Sequence, residues 1–392
     1  MDRIALAPIL RGAIMELTGA PVFLAWTQDV VDSAAPLSQE VLELATSKLH
    51  QDASPLREAL KALQNSHGEL PQALSTPNGG TFFLGASYDA AQKAMEAAPS
   101  ITQRFSLQHD QATPSSGRGD VVKGRIALVT GGAQGFGAEI ARGLADEGAF
   151  VWIADINEEG AAAFAAELNA SGSTRAAAVA VDVSDESSVQ AMAATIVAGT
   201  GGLDLLVSNA GVLRAGSVLQ LEAHDFDFVT RINYTAFFLV VKHLAAVMAA
   251  QRQGGPTQSM DIVQINSKSG LEGSNKNGAY AGGKFGGLGL VQSFALELVE
   301  HGIKVNAICP GNFFDGPLWS HPENGLFVQY LRAGKVPGAQ TVADVKAFYE
   351  AKVPMGRGCY GPDVLRAILY CVEQAYETGQ ALPVTGGQVM LK

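Results

Sequence analysis

From about residue 123 onward, short apolar runs alternate with longer stretches of helical periodicity. The apolar runs show no polar alternation, which is typical of strands in a parallel sheet that helices cover on both faces. The pattern therefore predicts an α/β fold with a doubly wound parallel sheet. Its strands are expected at Ile126–Thr130, Phe150–Asp155, Ala176–Val181, Leu203–Ser208, Asp261–Ile265 and Lys304–Ile308.

The first 120 residues carry a separate and shorter pattern of apolar runs. Between Ser106 and Lys123 the apolar periodicity disappears and Gln, Ser, Pro, Gly and Asp dominate, as in an interdomain linker. We therefore expect a smaller N-terminal α/β domain over 1–120, a linker near 106–122 and a larger domain over 123–392. In the smaller domain, strands are predicted at Pro21–Thr27 and Thr81–Ala86, and helices at Ser38–Leu49, Pro55–Gln64 and Tyr88–Ala97.

Composition narrows the class of protein. The 392 residues are 47% hydrophobic and 17% charged, with a net charge of −11, which argues against nucleic acid as a partner because phosphates require clustered Lys and Arg. No membrane span and no signal peptide are expected, since apolar stretches stay short. Three cysteines without C-x-x-C pairing suggest reduced thiols and a cytoplasmic location, and the scattered histidines suggest no metal site.

A glycine-rich turn follows the first predicted strand of the larger domain and precedes a helix expected over Ala138–Glu147. Glycines allow the backbone to approach a pyrophosphate, while the helix N-terminus offers unpaired N–H groups and a positive dipole end. Such turns also close ordinary strand–helix junctions, but here the required strand and helix flank the motif. The predicted dinucleotide contacts in this turn are Gly131, Gln134, Gly135, Phe136 and Gly137.

Asp155 ends the second predicted strand, about 20 residues after the turn, where a carboxylate accepts hydrogen bonds from ribose hydroxyls and repels a 2′-phosphate. The cofactor is therefore expected to be NAD rather than NADP. The alternative is that Asp155 only caps the next helix. Asp182 and Val183 end the third strand, and the run Asn209, Ala210 and Gly211 ends the fourth, at the carboxyl edge where such sheets bind ligands.

The glycine spacing, the Asn209-Ala210-Gly211 run and the Tyr280-x-x-x-Lys284 pair together resemble the short-chain dehydrogenase/reductase family, over about residues 123–392. The resemblance implies a Rossmann-type fold, a nicotinamide cofactor, and a dimer or tetramer of identical subunits. Within the family, the C-terminal third is most similar to bacterial dehydrogenases of sorbitol 6-phosphate. That similarity rests on Asn266–Gly270, Gly283–Gly287, Lys352–Pro354, Arg357–Cys359, Asp363–Leu365, Thr378–Gln380 and Val384–Met390.

The catalytic chemistry is expected at Tyr280, as the group that takes or gives the hydroxyl proton of an alcohol. Free tyrosine has a pKa of about 10, so it needs a nearby positive charge, which Lys284 can supply from the same helical face. Ser267, thirteen residues upstream, can hydrogen-bond the substrate oxygen. By the family resemblance, Asn233 interrupts a helix and holds a water beside the lysine. A Tyr–Lys pair at this spacing also occurs on solvated helix faces.

The resemblance further implies that a turn formed by Pro310, Gly311, Asn312 and Phe313 holds the nicotinamide carboxamide, while Tyr280 and Lys284 also contact the cofactor. The family usually has a Thr shortly after this turn, whereas this chain continues Phe314-Asp315, so the hydroxyl contact is in doubt. The following segment, Asp315 to Pro354, is expected to cover the substrate.

Basic residues near the expected substrate site suggest a sugar alcohol or sugar-phosphate substrate, with a hexitol phosphate such as sorbitol 6-phosphate favoured. Their alternative role is that of solvated surface charges. A reductase of a 3-oxoacyl group or another ketone, and a cofactor-binding regulator without turnover, are the competing functions. The basic residues concerned are Lys268, Lys276, Arg332, Lys335, Lys352 and Arg357, together with the uncharged amide of Asn275.

Residues 1–120 lie outside the dehydrogenase pattern. Their segment Gly79–Ser87, followed by an alanine-rich helix, resembles the last strand and helix of class II aldolase domains, but the histidine cluster that binds the aldolase metal is absent from the sequence. A truncated remnant of such a domain is therefore expected to have a structural or regulatory role, such as oligomer contacts, rather than aldolase activity.

Overall fold

The computed structural model describes residues 3–28, 34–38, 42, 53–76, 80–97, 104–105, 120–256, 259–323, 325–332, 334 and 336–390. In its N-terminal region the helices are α1 (Arg3–Thr18), α2 (Ser54–His67) and α3 (Tyr88–Glu96). The strands there are β1 (Phe23–Thr27), β2 (Ala35–Pro36), β3 (Leu70–Pro71), β4 (Ala73–Thr76), β5 (Gly80–Gly85) and β6 (Arg104–Phe105). One sheet has the order β1-β5-β4-β2, and β3 pairs with β6.

The larger part of the chain contains a seven-stranded parallel sheet with the order β13-β12-β11-β10-β7-β8-β9. This is the predicted doubly wound Rossmann-type fold, and the strand order reverses between β7 and β10, where such sheets bind ligands. The strands are β7 (Ile126–Thr130), β8 (Phe150–Asp155), β9 (Ala176–Ala180), β10 (Leu205–Ser208), β11 (Met260–Ile265), β12 (Ile303–Pro310) and β13 (Ala381–Val384).

Helices cover both faces of this sheet, which explains why its central strands are apolar without alternation. The main helices are α4 (Gly135–Asp146), α5 (Glu158–Asn169), α6 (Glu186–Thr200), α7 (Ala223–Thr230), α8 (Ala236–Gly254), α9 (Gly278–Leu298) and α13 (Gly361–Glu373). A π-helical turn over Arg231–Thr235 joins α7 to α8, and 3₁₀ turns occur at Lys268–Gly270 and Val299–His301. Three short helices lie before α13, namely α10 (Pro317–Ser320), α11 (Leu326–Arg332) and α12 (Val342–Glu350).

The predicted strands and helices are confirmed with shifts at their ends, where local pattern is least informative. The helix after the glycine turn begins at Gly135 rather than Ala138, and the fourth strand begins at Leu205 rather than Leu203. Helix α1 and strands β4 and β13 were not predicted. The helix expected over Ser38–Leu49 and the linker near 106–122 lie largely outside the described residues.

The α1 helix packs directly onto α8 at a crossing of two glycines. A Cβ atom on Gly12 would lie 2.0 Å from the carbonyl oxygen of Gln251, and a Cβ on Gly254 would lie 2.0 Å from that of Ile9. Only glycine permits backbones to approach this closely. Arg57 of α2 adds hydrogen bonds to the carbonyl oxygens of Gln253 and Gly254, at the C-terminal end of α8.

This packing also explains the unusual apolarity of α8. The most apolar window of the helical run Ala223–Gly254 has a mean hydropathy of 1.5. By length and composition alone, this run could cross a membrane. More than half of its most apolar window is buried inside the protein, between the sheet on one side and α1 on the other. Its composition is that of a core helix covered on two faces.

A buried ion pair joins the N-terminal region to the amino-terminal end of the central strand β10. Arg11 is fully buried and binds both carboxylate oxygens of Asp204 at 2.8 and 2.9 Å. Gln251 of α8 joins this pair through its amide, accepting from Arg11 at 2.7 Å and donating to Asp204 at 2.8 Å. Asp204 in turn accepts the backbone N–H of Ile126 at the start of β7. Burial alone would raise the pKa of Asp204, but the Arg11 charge and these hydrogen bonds outweigh it and hold that pKa below its ordinary value.

Candidate active site

The glycine turn after β7 has the backbone that a dinucleotide-binding loop requires. Gly131 and Gly135 adopt the left-handed conformation, with φ of 61° and 59°, which disfavours any residue with a Cβ. A Cβ on Gly137 would lie 2.0 Å from the carbonyl oxygen of Gly131, so the first turn of α4 is pressed against the loop. Gln134 is exposed at the N-terminus of α4, and Phe136 is half-buried beside it.

The end of β10 holds this turn in place. The Asn209 amide donates to the carbonyl oxygens of Thr130 and Gly131 at 3.0 and 3.1 Å. The Thr130 hydroxyl accepts the backbone N–H groups of Asn209 and Ala210. Asn209, Ala210 and the adjoining Gly211 are therefore beside the glycine turn, as predicted, and Thr130 is a supporting residue that was not predicted although it immediately precedes the turn.

Asp155 lies at the end of β8 with its carboxylate turned toward the glycine turn. Its oxygens accept the backbone N–H groups of Ala133 and Asn157, each at 3.0 Å, and the residue is 8% exposed. The alternative role as helix cap is filled by Asn157, whose side chain accepts from the Gly160 N–H at the start of α5. The Asp155 carboxylate is thus oriented by one backbone donor of the glycine turn, Ala133, and one from the turn after its own strand, Asn157.

Asp182 and Val183 follow β9 on the same edge of the sheet but differ in their surroundings. The Asp182 carboxylate accepts from the backbone and hydroxyl of Ser184, so it shapes its own turn. Val183 is buried and lines a small polar cavity that also reaches Thr130 and Asn233. Of the two residues, Val183 is the one that lines this cavity.

The turn after β12 approaches the glycine turn from the opposite side. Pro310 ends the strand, the Gly311 N–H donates to the Val384 carbonyl, and the Asn312 carbonyl accepts from the Cys359 N–H at 2.8 Å. The Phe313 ring stacks on the Phe136 ring, with centroids 4.4 Å apart and planes at 16°. An aromatic contact therefore connects the two turns predicted to hold the two halves of the cofactor.

The departure from the family pattern after this turn has a structural explanation. Phe314 is buried among aromatic residues of the following lobe, 5.0 Å from Trp319 between ring centroids. Asp315 is turned toward Lys346 of α12 at 2.5 Å. In place of a hydroxyl, the chain has one residue that anchors the lobe core and one that forms an ion pair on its surface.

Ser267 and Tyr280 lie next to each other, as the spacing predicted. Ser267 follows β11 and its hydroxyl accepts from the Ser269 N–H at 3.1 Å, and its side chain is near enough to the Tyr280 phenol to influence the pKa of that group. Tyr280 lies in the first turn of α9. Burial raises the pKa of Tyr280, and the nearby Ser267 side chain opposes that rise. The expected lowering of this pKa is therefore not observed in the protein alone, because desolvation dominates.

Lys284 projects from α9 beneath the tyrosine ring. Its Nζ atom is 5.6 Å from the centroid of the Tyr280 ring and donates to the carbonyl oxygen of Ile265 at 2.9 Å. The residue is 5% exposed, and burial lowers its pKa to about 8. It is therefore mainly protonated near neutrality and can supply positive charge beside the phenol.

Asn233 lies within the π-helical turn between α7 and α8, an interruption of the kind often found at functional sites. Its side chain donates to the Val212 carbonyl at 2.7 Å and accepts the Val212 N–H at 2.9 Å. A Cβ added to Gly211 would lie 3.0 Å from Asn233 Oδ1 and 3.9 Å from Lys284 Nζ. The asparagine therefore interrupts the helix near the lysine, as expected, and also clamps the loop after β10.

Asn266 supports the site, although it was quoted only as part of a motif. Its amide donates to Gln264 Oε1 at 2.8 Å and to the Lys284 carbonyl at 2.9 Å, while its Oδ1 accepts the Ser267 N–H. It thus connects the strand end that carries Ser267 to the helix that carries Tyr280 and Lys284. The polar residues in an otherwise apolar strand were the signal that could have identified it.

The basic residues suggested for substrate binding lie in two parts of the chain, the segment before α13 and the connection between Ser267 and Tyr280. Arg357 forms a bidentate pair with Asp363, and Lys352 lies 4.1 Å from the centroid of the Phe348 ring. Arg332 donates to the Glu323 carbonyl, while Lys335 lies outside the described residues. Lys268 and Lys276, with Asn275, are carried by the connection between Ser267 and Tyr280.

Two further features bear on the chemistry of the site. Within the described part of the chain, no group of three or more His, Cys, Asp or Glu residues could hold a metal ion. Cys309, Cys359 and Cys371 are buried free thiols. Burial raises the pKa of Cys309, which lies close to Ser267 and Lys284, to about 11, so this thiol is protonated near neutrality.

Comparisons with known proteins point to one family. Residues 125–318 match the profile described as short chain dehydrogenase. Sorbitol-6-phosphate 2-dehydrogenase of Escherichia coli strain K12 is 38% identical over 269 residues, which is 68% of this chain and 99% of that enzyme.

Solved structures give the same relationship. Sorbitol-6-phosphate 2-dehydrogenase from Erwinia amylovora superposes with a TM-score of 0.62 at 39% identity, covering 68% of this chain and 100% of that one. A variant of actinorhodin polyketide ketoreductase, solved with NADPH, has a TM-score of 0.59 at 30% identity and covers 67% of this chain and 97% of its own. Similar structures thus include one with the phosphorylated cofactor.

Proposed function

The chain belongs to the short-chain dehydrogenase family, and we propose that it transfers a hydride between NAD(H) and the alcohol carbon of a hexitol phosphate such as sorbitol 6-phosphate. Members of this family are oxidoreductases that act on CH–OH groups. The observation that carries the proposal is the juxtaposition of Ser267, Tyr280 and Lys284 at the carboxyl edge of the sheet, beside the glycine turn. The identity to sorbitol-6-phosphate dehydrogenase supports the substrate class.

Tyr280 acts as the general acid and base in this proposal. During alcohol oxidation, the substrate hydroxyl proton moves to the Tyr280 oxygen, and Ser267 donates a hydrogen bond to the substrate oxygen as a carbonyl forms. A bound oxidised nicotinamide would supply the hydride acceptor and, until it is reduced, a positive charge. Because burial raises the pKa of Tyr280, the phenolate needs such charges, and protonated Lys284 contributes one of them from below the ring.

The proton must afterwards return to solvent, and Lys284 and Asn233 are suited to this relay. A polar cavity lined by Asn233, Gln264 and Lys284 adjoins the site, and it is where we expect a water beside the lysine. The Asn233 amide keeps the loop after β10 next to this cavity through Val212. The remaining predicted cofactor contacts are proposed to hold the dinucleotide across the switch point between β7 and β10.

We propose NAD as the cofactor because the Asp155 carboxylate is fixed beside the glycine turn by two backbone donors. Replacing Asp155 with Asn is expected to raise the ratio of kcat/KM with NADP to that with NAD by about tenfold or more, because the charge that repels a 2′-phosphate is removed. Steady-state kinetics with both cofactors measures the ratio.

Glu159→Gln provides a matched control, since it removes one negative charge from an exposed side chain of the same segment and should leave the ratio nearly unchanged. Efficient use of NADP by the unmodified protein would contradict the NAD proposal. An unchanged ratio in the Asp155 variant would remove this residue from cofactor discrimination.

The substrate proposal is tested by comparing sorbitol 6-phosphate with free sorbitol. We expect kcat/KM to be at least about tenfold higher for the phosphate, because charge-assisted hydrogen bonds to a phosphate contribute about 1.5–3 kcal/mol. The readout is NADH absorbance under identical conditions. Equal efficiency for both compounds would contradict the phosphate proposal. If the protein oxidised neither compound, a reductase of another ketone would be the better candidate, in keeping with the ketoreductase similarity.

For the first 120 residues we propose a structural role, through the Arg11 ion pair and the α1–α8 contact. We further propose that residues 1–120 and 123–392 form two domains. The protein is proposed to be a homo-oligomer located in the cytoplasm.

A further inference from the structure

Lys268 occupies a position that the proposed reaction has not used. It follows Ser267 directly and begins the 3₁₀ turn Lys268–Gly270 at the end of β11. The Ser267 hydroxyl, whose side chain influences the pKa of Tyr280, accepts the N–H of Ser269 in this turn. The backbone that carries the Lys268 side chain is therefore continuous with the backbone of the proposed reaction centre.

The turn that carries Lys268 is rigidly supported. Asn266 links its base to α9, donating to the Lys284 carbonyl and accepting the Ser267 N–H. A Cβ on Gly270 would lie 2.2 Å from Asn266 Oδ1 and 3.1 Å from the Lys284 carbonyl oxygen, so the turn packs against both. A side chain on such a turn starts from a fixed point relative to Ser267 and Tyr280, which a recognition residue requires.

The Lys268 ammonium is half-buried, and no hydrogen bond or ion pair to it is found among the described residues. Burial lowers its pKa, and the only charge that opposes this effect is Glu272, four residues along the chain and exposed. A partly desolvated cation without a hydrogen-bonding partner is unfavourable in the free protein. An anionic group of a ligand would relieve that cost.

Three of the other cations suggested for the substrate already have contacts within the described residues. Arg357 is bound by Asp363, Arg332 by the Glu323 carbonyl, and Lys352 lies over Phe348. Lys276 is in the same connection as Lys268 but is exposed and takes the left-handed conformation, with φ of 56°. In a protein with a net charge of −11, recognition of a phosphate requires a local cation.

We infer that Lys268 determines specificity for the phosphate of the substrate, as the cation that binds this group while the adjacent Ser267 contacts the reacting oxygen. This rests on the proposed function. The ammonium donates charge-assisted hydrogen bonds to the phosphate at the end of the polyol remote from the reacting carbon. Two neighbouring residues of one rigid turn thereby recognise the two ends of the substrate.

The test compares the full-length protein with its Lys268→Met, Lys268→Arg and Lys276→Met variants, on sorbitol 6-phosphate and on free sorbitol. Lys268→Met is expected to raise KM for the phosphate about 10- to 100-fold with kcat little changed, because the lost contact exists in both ground and transition states. Its kinetics on free sorbitol should match those of the unmodified protein. Lys268→Arg should restore most of the phosphate preference, and Lys276→Met should alter KM by less than about threefold.

A second readout uses inorganic phosphate as the probe. It should inhibit oxidation of sorbitol 6-phosphate competitively in the unmodified protein, because both compounds use the Lys268 subsite, and this inhibition should be lost in Lys268→Met. If sorbitol 6-phosphate remains the preferred substrate and Lys268→Met behaves like the unmodified protein, the inference is wrong while the proposed function stands. A KM increase confined to Lys276→Met would also overturn it. If no variant, nor the unmodified protein, oxidises either compound, the proposed function fails and the inference fails with it.

Discussion

Replacing Tyr280 with Phe is expected to reduce kcat by about 10²- to 10⁴-fold, which is the usual contribution of a positioned general acid or base. The substitution removes only the phenol oxygen. The ring keeps its position in α9 above Lys284, with Nζ 5.6 Å from its centroid, so the fold should be unaffected. Without that oxygen, the substrate proton has no acceptor at hydrogen-bonding distance, while Ser267 retains its contact with the Ser269 N–H.

Three measurements make this prediction specific. The dissociation constant of NADH, measured by fluorescence titration, should change by no more than about tenfold, because Tyr280 is only one of the predicted cofactor contacts and the glycine turn and Asp155 are untouched. Tyr376→Phe is the matched control, since this tyrosine is 99% exposed and should retain full activity. Retention of more than about a tenth of the unmodified kcat in Tyr280→Phe would show that another group handles the proton.

Replacing Arg11 with Met is expected to lower the free energy of unfolding by about 3–5 kcal/mol, the usual cost of removing one partner of a buried ion pair. Asp204 would remain buried at the start of β10 with its charge uncompensated. It would still accept hydrogen bonds from the Ile126 N–H and the Gln251 amide. Arg11 also donates to the Val22 carbonyl at 2.7 Å, so that acceptor would lose its partner as well. Chemical denaturation followed by circular dichroism gives the free energy.

Arg142→Met is the matched control. Arg142 and Glu167 form a similarly short pair at 2.7 Å, but their side chains are 46% and 59% exposed, so its removal should cost no more than about 1 kcal/mol. A double variant that combines Arg11→Met with Asp204→Asn should recover part of the loss, because the buried charge is then absent. Equal effects of the Arg11 and Arg142 substitutions would contradict the structural importance of the buried pair.

The Arg11 result also bears on whether the N-terminal region can be removed. Deletion of residues 1–118 would leave Asp204 without its cation and expose the face of α8 that carries Gly254, together with Phe150, whose ring stacks on Tyr88 at 4.8 Å. We therefore expect the truncated chain to be unstable or aggregated rather than an intact dehydrogenase. A truncated protein with unchanged activity and assembly would remove the proposed structural role.

The sequence by itself determined the parallel sheet, the positions of six of its strands along the chain and the residues of the proposed reaction centre. This was achievable because each feature has a local signature. Continuous apolar runs mark strands covered on both faces, glycines mark backbone that only they can adopt, and a Tyr–Lys pair four residues apart shares a helix face. The Asp155 position followed in the same way, from its distance along one strand–helix unit.

Only the tertiary structure decided features that depend on residues distant in the chain. Arg11 in an apolar N-terminal helix has no local signal that it binds Asp204, nearly two hundred residues away. The apolarity of α8 is explained only once α1 is seen to cover it. Burial raises the pKa of Tyr280 in the protein without cofactor, which its spacing to Lys284 could not indicate, because spacing does not reveal how much water burial excludes. Likewise, partners already engage Arg357 and Lys352 but not Lys268, and this distinction follows from packing, since a basic residue looks the same in sequence whether or not its charge is compensated.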